Sequence, residues 1–160
     1  MRSLHRRRLG ISMALAVGMS PLVLGLSPAQ PAKPKNEHFT GKVVPLKDIV
    51  AKSGITLDKD AASQSLAVVA DDGKTYSLVK DAGSRMFFND ERLLNRRMRL
   101  TGYLVDKTPF LKAVQVHSYV NGELNEVYYW CDICSIKRFY KAQCECCQGP
   151  MELRETPVKK

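Results

Sequence analysis

From residue 39 onward, apolar and polar residues alternate with a period close to two, and turn residues repeatedly interrupt the alternation. Residues 39–46 read as a strand with Pro45 near its end. Residues 47–60 form a polar connection with room for one turn of helix over 47–52. Residues 64–70 make a second strand and 75–80 the returning strand. Between them, Asp71-Asp72-Gly73-Lys74 is a tight hairpin turn in which Asp-Gly supplies the positive backbone angles. Asn89 or Asp90 can cap a short helix over 91–96. Two more alternating stretches, 98–105 and 110–119, precede an Asn121-Gly122 turn. Residues 126–130 then lead directly into the first cysteine of the chain, and a short segment at 151–155 and a basic tail end it.

The order is strand, strand, strand, helix, strand, strand, with a glycine in the first strand (Gly41) and in the fourth (Gly102). Small barrels need glycine where strands bend sharply to close. In order and length, residues 38–120 resemble an OB-fold barrel. The resemblance implies a mainly β fold: a small OB-like β-barrel with one short helix. A β-rich sandwich is the alternative. Phe87 and Phe88 are expected to plug the bottom of the barrel.

The first residues change the picture of where the chain works. Arg2, Arg6, Arg7 and Arg8 stand without an acid, an apolar run fills 9–26, and Ser27-Pro28-Ala29 offers small residues before a cut after Ala29. A basic head, an apolar middle and a small-residue exit make a signal peptide over 1–29. A permanent membrane anchor is the competing reading, diluted by Gly10, Gly18, Pro21 and Gly25. Arg7-Arg8-Leu9-Gly10-Ile11 also fits a relaxed twin-arginine signal, which exports proteins already folded. Residues 30–37 follow as a proline-rich, extended linker. The expected location is therefore periplasmic or secreted, with no stable membrane insertion after cleavage.

Removing 1–29 takes four arginines and no acid, so the formal charge falls from +9 to +5. Four metal-bound thiolates would lower it to about +3. A charge of that size supports solubility and does not argue for nucleic acid. The remaining chain is one ordinary domain, or a small domain with an appendage.

The candidate chemistry lies in the cysteines. All five fall in the last thirty residues: Cys131-Asp132-Ile133-Cys134, nine residues, then Cys144-Glu145-Cys146-Cys147. Two C-x-x-C pairs on a short hairpin can bring four thiolates to the corners of a tetrahedron, an arrangement that suits Zn2+ or iron. Residues 130–155 resemble the short zinc-ribbon and rubredoxin-like families. The resemblance implies a four-cysteine site of Cys131, Cys134, Cys144 and Cys147 within a ribbon-and-tail unit at 121–160, holding Zn2+ with Fe as the alternative. Those families often carry Pro after the first Cys of a pair and Gly after the second. Here Asp132 and Glu145 follow the first, Ser135 and Gln148 the last, and Gly149 comes one residue late. Cys146 is surplus and could replace Cys144 or Cys147. Disulfides, thiol exchange and transient metal carriage compete with a structural ion, although an odd count with a vicinal pair suits separated bridges poorly. Trp130, Tyr128 and Phe139 are expected to pack against the hairpin.

Other candidates read as structural. His117 shares a strand face with Gln115 and Tyr119, opposite Val114 and Val116, and is expected to be solvated or hydrogen-bonded. Arg92, Arg96, Arg97 and Arg99 form the one basic cluster and are expected to pair with Asp90, Glu91 and Asp106 as a solvated face. No Ser-His-Asp or Cys-His spacing pairs a nucleophile with its base, and no glycine-rich loop cradles phosphate. The sequence thus reads as a non-enzymatic, exported metal-binding accessory module, with one metal ion and another exported protein as its partners. The alternatives are an iron electron-transfer protein and a metal carrier.

Overall fold

The computed structural model describes residues 34–159, so the signal peptide, the anchor alternative and the start of the linker lie outside the described residues. The fold is mainly β. Eight strands build one sheet: β1 (Glu37–Pro45), β2 (Leu66–Ala70), β3 (Thr75–Leu78), β4 (Arg97–Leu104), β5 (Phe110–Val120), β6 (Glu123–Cys131), β7 (Ile136–Arg138) and β8 (Glu152–Pro157). Among the described residues, three short helices, α1 (Leu46–Val50), α2 (Lys59–Gln64) and α3 (Arg85–Asn89), fill the connections. Among the described residues, no helix is long and apolar enough to cross a membrane.

The first five strands close a ring. β1 lies antiparallel between β2 and β4, β2 pairs with β3, and β4 pairs with β5. A short parallel pairing of β3 with β5, Ser77 beside Phe110 and Leu78 beside Leu111, completes the circle. Alternate residues point inward, which is what the period-two pattern demands. Phe39 and Val43, Leu66 and Val68, Leu78, Met98 and Leu100, and Leu111 and Val116 are all buried there. Met86, Phe87 and Leu93 join that core from the connection between β3 and β4. Phe87 is fully buried in that core, while Phe88 is only partly buried and lies under the Lys80 ammonium.

Gly41 and Gly102 stand where strands cross closely. A Cβ on Gly41 would lie 2.1 Å from the Val69 carbonyl oxygen, and one on Gly102 2.1 Å from that of Lys112. Beside Gly102 the β4–β5 register slips: Thr101 faces Gln115 and Gly102 faces Ala113, which leaves Val114 as an extra residue. This bulge turns Val114 outward, 54% exposed, whereas Val116 is buried. The alternation that sets Val114 and Val116 on one face is broken there. His117 also departs from the solvated or hydrogen-bonded state expected of it: it is 5% exposed and its Nδ1 has no partner.

The helix expected over 91–96 lies earlier. α3 ends at Asn89, Asp90 is extended, and only Glu91–Leu93 form a tight turn before the chain extends again at Leu94. Asp90 does cap that turn, its carboxylate accepting the Arg92 backbone N–H. Burial of Leu93 draws the chain into the core and stops the turn after three residues. α2 forms within the polar connection, where the residue pattern predicts no second helix. The turn of helix expected over 47–52 divides into α1 and a tight turn at Ala51–Ser53.

β6 carries the sheet out of the ring. Its first half pairs with β5 across the Asn121-Gly122 turn, where both residues have positive φ (52° and 83°), the pattern of a mirror-type hairpin turn. Its second half pairs with β7 (Trp130 beside Lys137, Cys131 beside Ile136), and β8 runs along its other edge.

Candidate metal centre

The two cysteine pairs are two copies of one local structure. In the first, Cys131 ends β6 and the chain turns back into β7, with the Ser135 N–H donating to the Cys131 carbonyl at 2.8 Å. In the second, the Gln148 N–H donates to the Cys144 carbonyl at 2.9 Å. Ser135 and Gln148, each just after the second cysteine of its pair, adopt positive φ of 54° and 57°. These are the positions where the ribbons that this segment resembles carry glycine. Here the left-handed turn forms without it. Gly149 instead leaves room for sulfur, since a Cβ there would meet the Cys147 Sγ at 3.3 Å.

The turns aim backbone N–H groups at sulfur. Those of Cys147 and Cys146 point at the Cys144 thiol and hold its pKa at about 7, below the usual thiol value. The N–H groups of Cys134 and Ile133 point at the Cys131 sulfur in the same way. There, burial and the thiols of Cys144 and Cys147 outweigh them and leave that pKa raised. The Cys134 thiol is pushed up by the neighbouring Cys146 thiol and by burial. Thiols this close resist ionising together, and a divalent ion removes that resistance by binding all of them as thiolates.

The structure brings together Cys131, Cys134, Cys144 and Cys147: their four Sγ atoms all lie within 4.8 Å of one another. The Cys131 and Cys147 sulfurs are 3.5 Å apart, and all five cysteines are free. A tetrahedral ion with bonds of about 2.3 Å to sulfur sets its ligands about 3.8 Å apart, so the cluster fits a small closing adjustment around one ion. Cys131 and Cys144 are buried, Cys134 and Cys147 half-buried, and Cys146 exposed. Among the described residues, no other His, Cys, Asp and Glu group has metal-ligand spacing. Such a four-sulfur site can hold a metal ion such as zinc or iron. With four protein ligands, an ion held there would have no open position for a substrate.

Charged side chains frame the hairpin. Arg138 pairs with Glu145, tying β7 to the second turn, and Arg154 of β8 pairs with Asp132 of the first. Arg154 also lies over the Trp130 ring. The aromatic support differs from the expected set. Phe139 is 51% exposed and Tyr128 and Trp130 are half-buried, whereas Tyr129 is fully buried. The Tyr129 hydroxyl donates to Asp90 at 2.9 Å and so fixes the cysteine hairpin to the ring. No sequence pattern marks this long-range contact.

The basic cluster divides. Arg92 holds Asp90 at 2.5 Å, Arg96 holds Glu155 at 2.6 Å and Arg97 holds Asp71 at 2.7 Å. Two of those three carboxylates come from other strands and turns rather than from the expected Glu91 and Asp106. Arg99 has no carboxylate among the described residues, and its buried Nε–H donates to nothing.

No family model, curated protein or solved structure matches the chain. The class that fold and site define is therefore the one the residues themselves give: a mainly β chain whose closed five-stranded ring continues into a four-cysteine cluster able to hold one metal ion.

Proposed function

We propose that this chain is an exported metal-binding accessory module without catalytic activity, its C-terminal zinc ribbon closed by one structural Zn2+. The ligands are Cys131, Cys134, Cys144 and Cys147. The observation that carries the reading is the convergence of those four sulfurs within 4.8 Å while Cys146 stays exposed. Further support comes from residues 132–150, of which only Cys144 is buried. A segment so poor in apolar contacts needs another source of order, and an ion supplies it.

The ring is an OB-type barrel in this reading. Support comes from its strand order, the parallel β3–β5 closure and α3 between the third and fourth strands. Export to the periplasm or beyond rests on the basic, apolar and small-residue succession of 1–29. A partner in that compartment is another exported protein. An iron-loaded electron-transfer role is favoured by one specific feature, the partial exposure of Cys134 and Cys147, which would let electrons reach the ion.

Elemental analysis and an absorption spectrum of the native purified protein test the assignment. One zinc equivalent in a colourless protein supports it. One iron equivalent with a visible band overturns it in favour of the electron carrier. Replacing Cys134 by Ser should abolish metal binding, while Cys146→Ser should leave about one equivalent, because a site closed by four sulfurs has no use for a fifth. Equal behaviour of the two variants would mean that the ligand set is misassigned.

A further inference from the structure

We propose that the outer face of β1, β4 and β5 is a binding site for a phosphate-type oxyanion, with Arg99 and His117 at its centre. The register puts one row of side chains across this face: Thr40 on β1 beside Arg99 on β4, Arg99 beside His117 on β5, and His117 beside Glu126 on β6. One step along, His38 lies beside Thr101, and Thr101 beside Gln115. Paired strands run about 4.8 Å apart, so the side chains of one row can reach a single small ligand.

Two polar groups in the row lack what a folded protein normally supplies. The Arg99 Nε–H is buried with no acceptor, and Nδ1 of the 5%-exposed His117 has no partner. Neighbouring charges do not answer them. The nearest carboxylate in the row, Glu126, is held by Lys137 at 2.6 Å. Arg97 is already taken by Asp71, and His38 Nδ1 lies 3.0 Å from the Thr101 hydroxyl. Burial, reinforced by the charge of Arg99, lowers the His117 pKa. The ring is then neutral near neutral pH and keeps one N–H to donate.

The donor set identifies the ligand class. A metal cation is disfavoured by the guanidinium and by the absence, among the described residues, of metal-ligand spacing outside the cysteines. A planar carboxylate would use the guanidinium fork and little else. A tetrahedral oxyanion has oxygens for Arg99, His117 and the Thr101 hydroxyl together.

The test uses the native purified protein with its metal in place. Inorganic phosphate is titrated while the ring signals of His117 and His38 and the Arg99 Nε–H are followed by NMR. The expected result is a saturable shift of His117 and Arg99 that Arg99→Gln weakens at least about tenfold and Arg99→Lys weakens less. Thr101→Val provides a second variant and should also weaken binding. A shift that never saturates, or wild-type affinity retained in both Arg99→Gln and Thr101→Val, overturns the proposal. Co-sedimentation with phosphatidylglycerol-containing vesicles, compared with pure phosphatidylcholine, separates the two sources of phosphate. Arg99-dependent pelleting assigns a lipid headgroup, and saturable titration without pelleting assigns a free phosphate compound.

Discussion

The closed ring and the cysteine hairpin belong to one sheet, yet different forces hold them. The ring buries side chains from all five strands and from the α3 connection, so its order is spread over more than ten apolar residues. Each contributes about 1.5–3 kcal/mol, and the loss of any one is a fraction of the whole. Residues 132–150 bury a single side chain, and that side chain is a thiol. The hairpin thus has almost no hydrophobic stabilisation of its own. In the proposed reading its order concentrates in one metal-bound cluster of sulfur, with surface ion pairs contributing about 0–1 kcal/mol each. Distributed stability tolerates local damage, whereas concentrated stability fails all at once.

Metal removal is the strongest way to break the comparison. A four-sulfur zinc site supplies about 10–16 kcal/mol near neutral pH, more than the hairpin can replace. Chelation should therefore free residues 132–150 while the ring stays folded. Hydrogen exchange would read this as rapid exchange confined to that segment. Acid should do the same, because protons compete with the ion for the thiolates. If the amides of β1, β4 and β5 lose protection in parallel, the two regions are one cooperative unit and the contrast fails.

Damage to the ring should have the opposite distribution. Gly102→Ala places a methyl 2.1 Å from the Lys112 carbonyl oxygen, a backbone atom with no freedom to swing aside. The bulge beside it would have to shift, at a cost of about 3 kcal/mol or more. Thermal denaturation should reveal that loss while metal content stays at the wild-type level. A variant that lost both would show that the hairpin leans on the ring's register.

Period-two alternation makes the ring strands legible, and C-x-x-C spacing marks the cysteines that the structure brings together, because both signals are local. What escapes is mostly non-local. The bulge at Val114 depends on Gly102 in the facing strand, and it undoes the face assignment of 114–116. His117 is buried although it stands opposite the inward-facing Val116, which no pattern within residues 110–119 reveals. The arginines read as a local cluster, whereas Arg96 and Arg97 find Glu155 and Asp71 far along the chain. The helix expected at 91–96 is cut short by core packing: Asp90 is legible as a cap, but the burial of Leu93 that ends the turn is not. Tyr129 shares its strand face with Val127 and Cys131, so alternation itself turns it inward; what no local pattern reveals is its partner Asp90.

Tyr129 and Asp90 join the two regions, so they can sharpen the comparison. Asp90 is nearly enclosed, and hydrogen bonds from Arg92, then from Tyr129, outweigh its burial and hold its pKa at about 2 against an ordinary 3.8. Because the folded-state value is depressed, the stabilisation is complete above the ordinary value and is lost as pH falls through 2. The difference corresponds to about 2 kcal/mol. Asp90→Asn should cost about that much at neutral pH and flatten the acid limb of the stability profile. Metal stoichiometry should not change. An unchanged acid limb would mean that the link carries no stability.

The smallest effect tests the hairpin's own geometry. Ser135 holds a φ of 54° immediately after the first cysteine pair, in the left-handed region where a Cβ crowds the backbone. The turn is kept there because the Cys131 carbonyl must accept the Ser135 N–H and both cysteine sulfurs must face the cluster. Glycine adopts that angle without crowding, so Ser135→Gly should tighten metal retention by about 1 kcal/mol, read as slower transfer of the ion to a competing chelator. The midpoint of ring unfolding should not move. Gln148→Gly, at the equivalent place in the second turn, should act alike and add to it, since the two positions lie on separate backbone segments. Retention unchanged in the double variant would mean that the left-handed turns are enforced by the sheet on either side and not by the cluster.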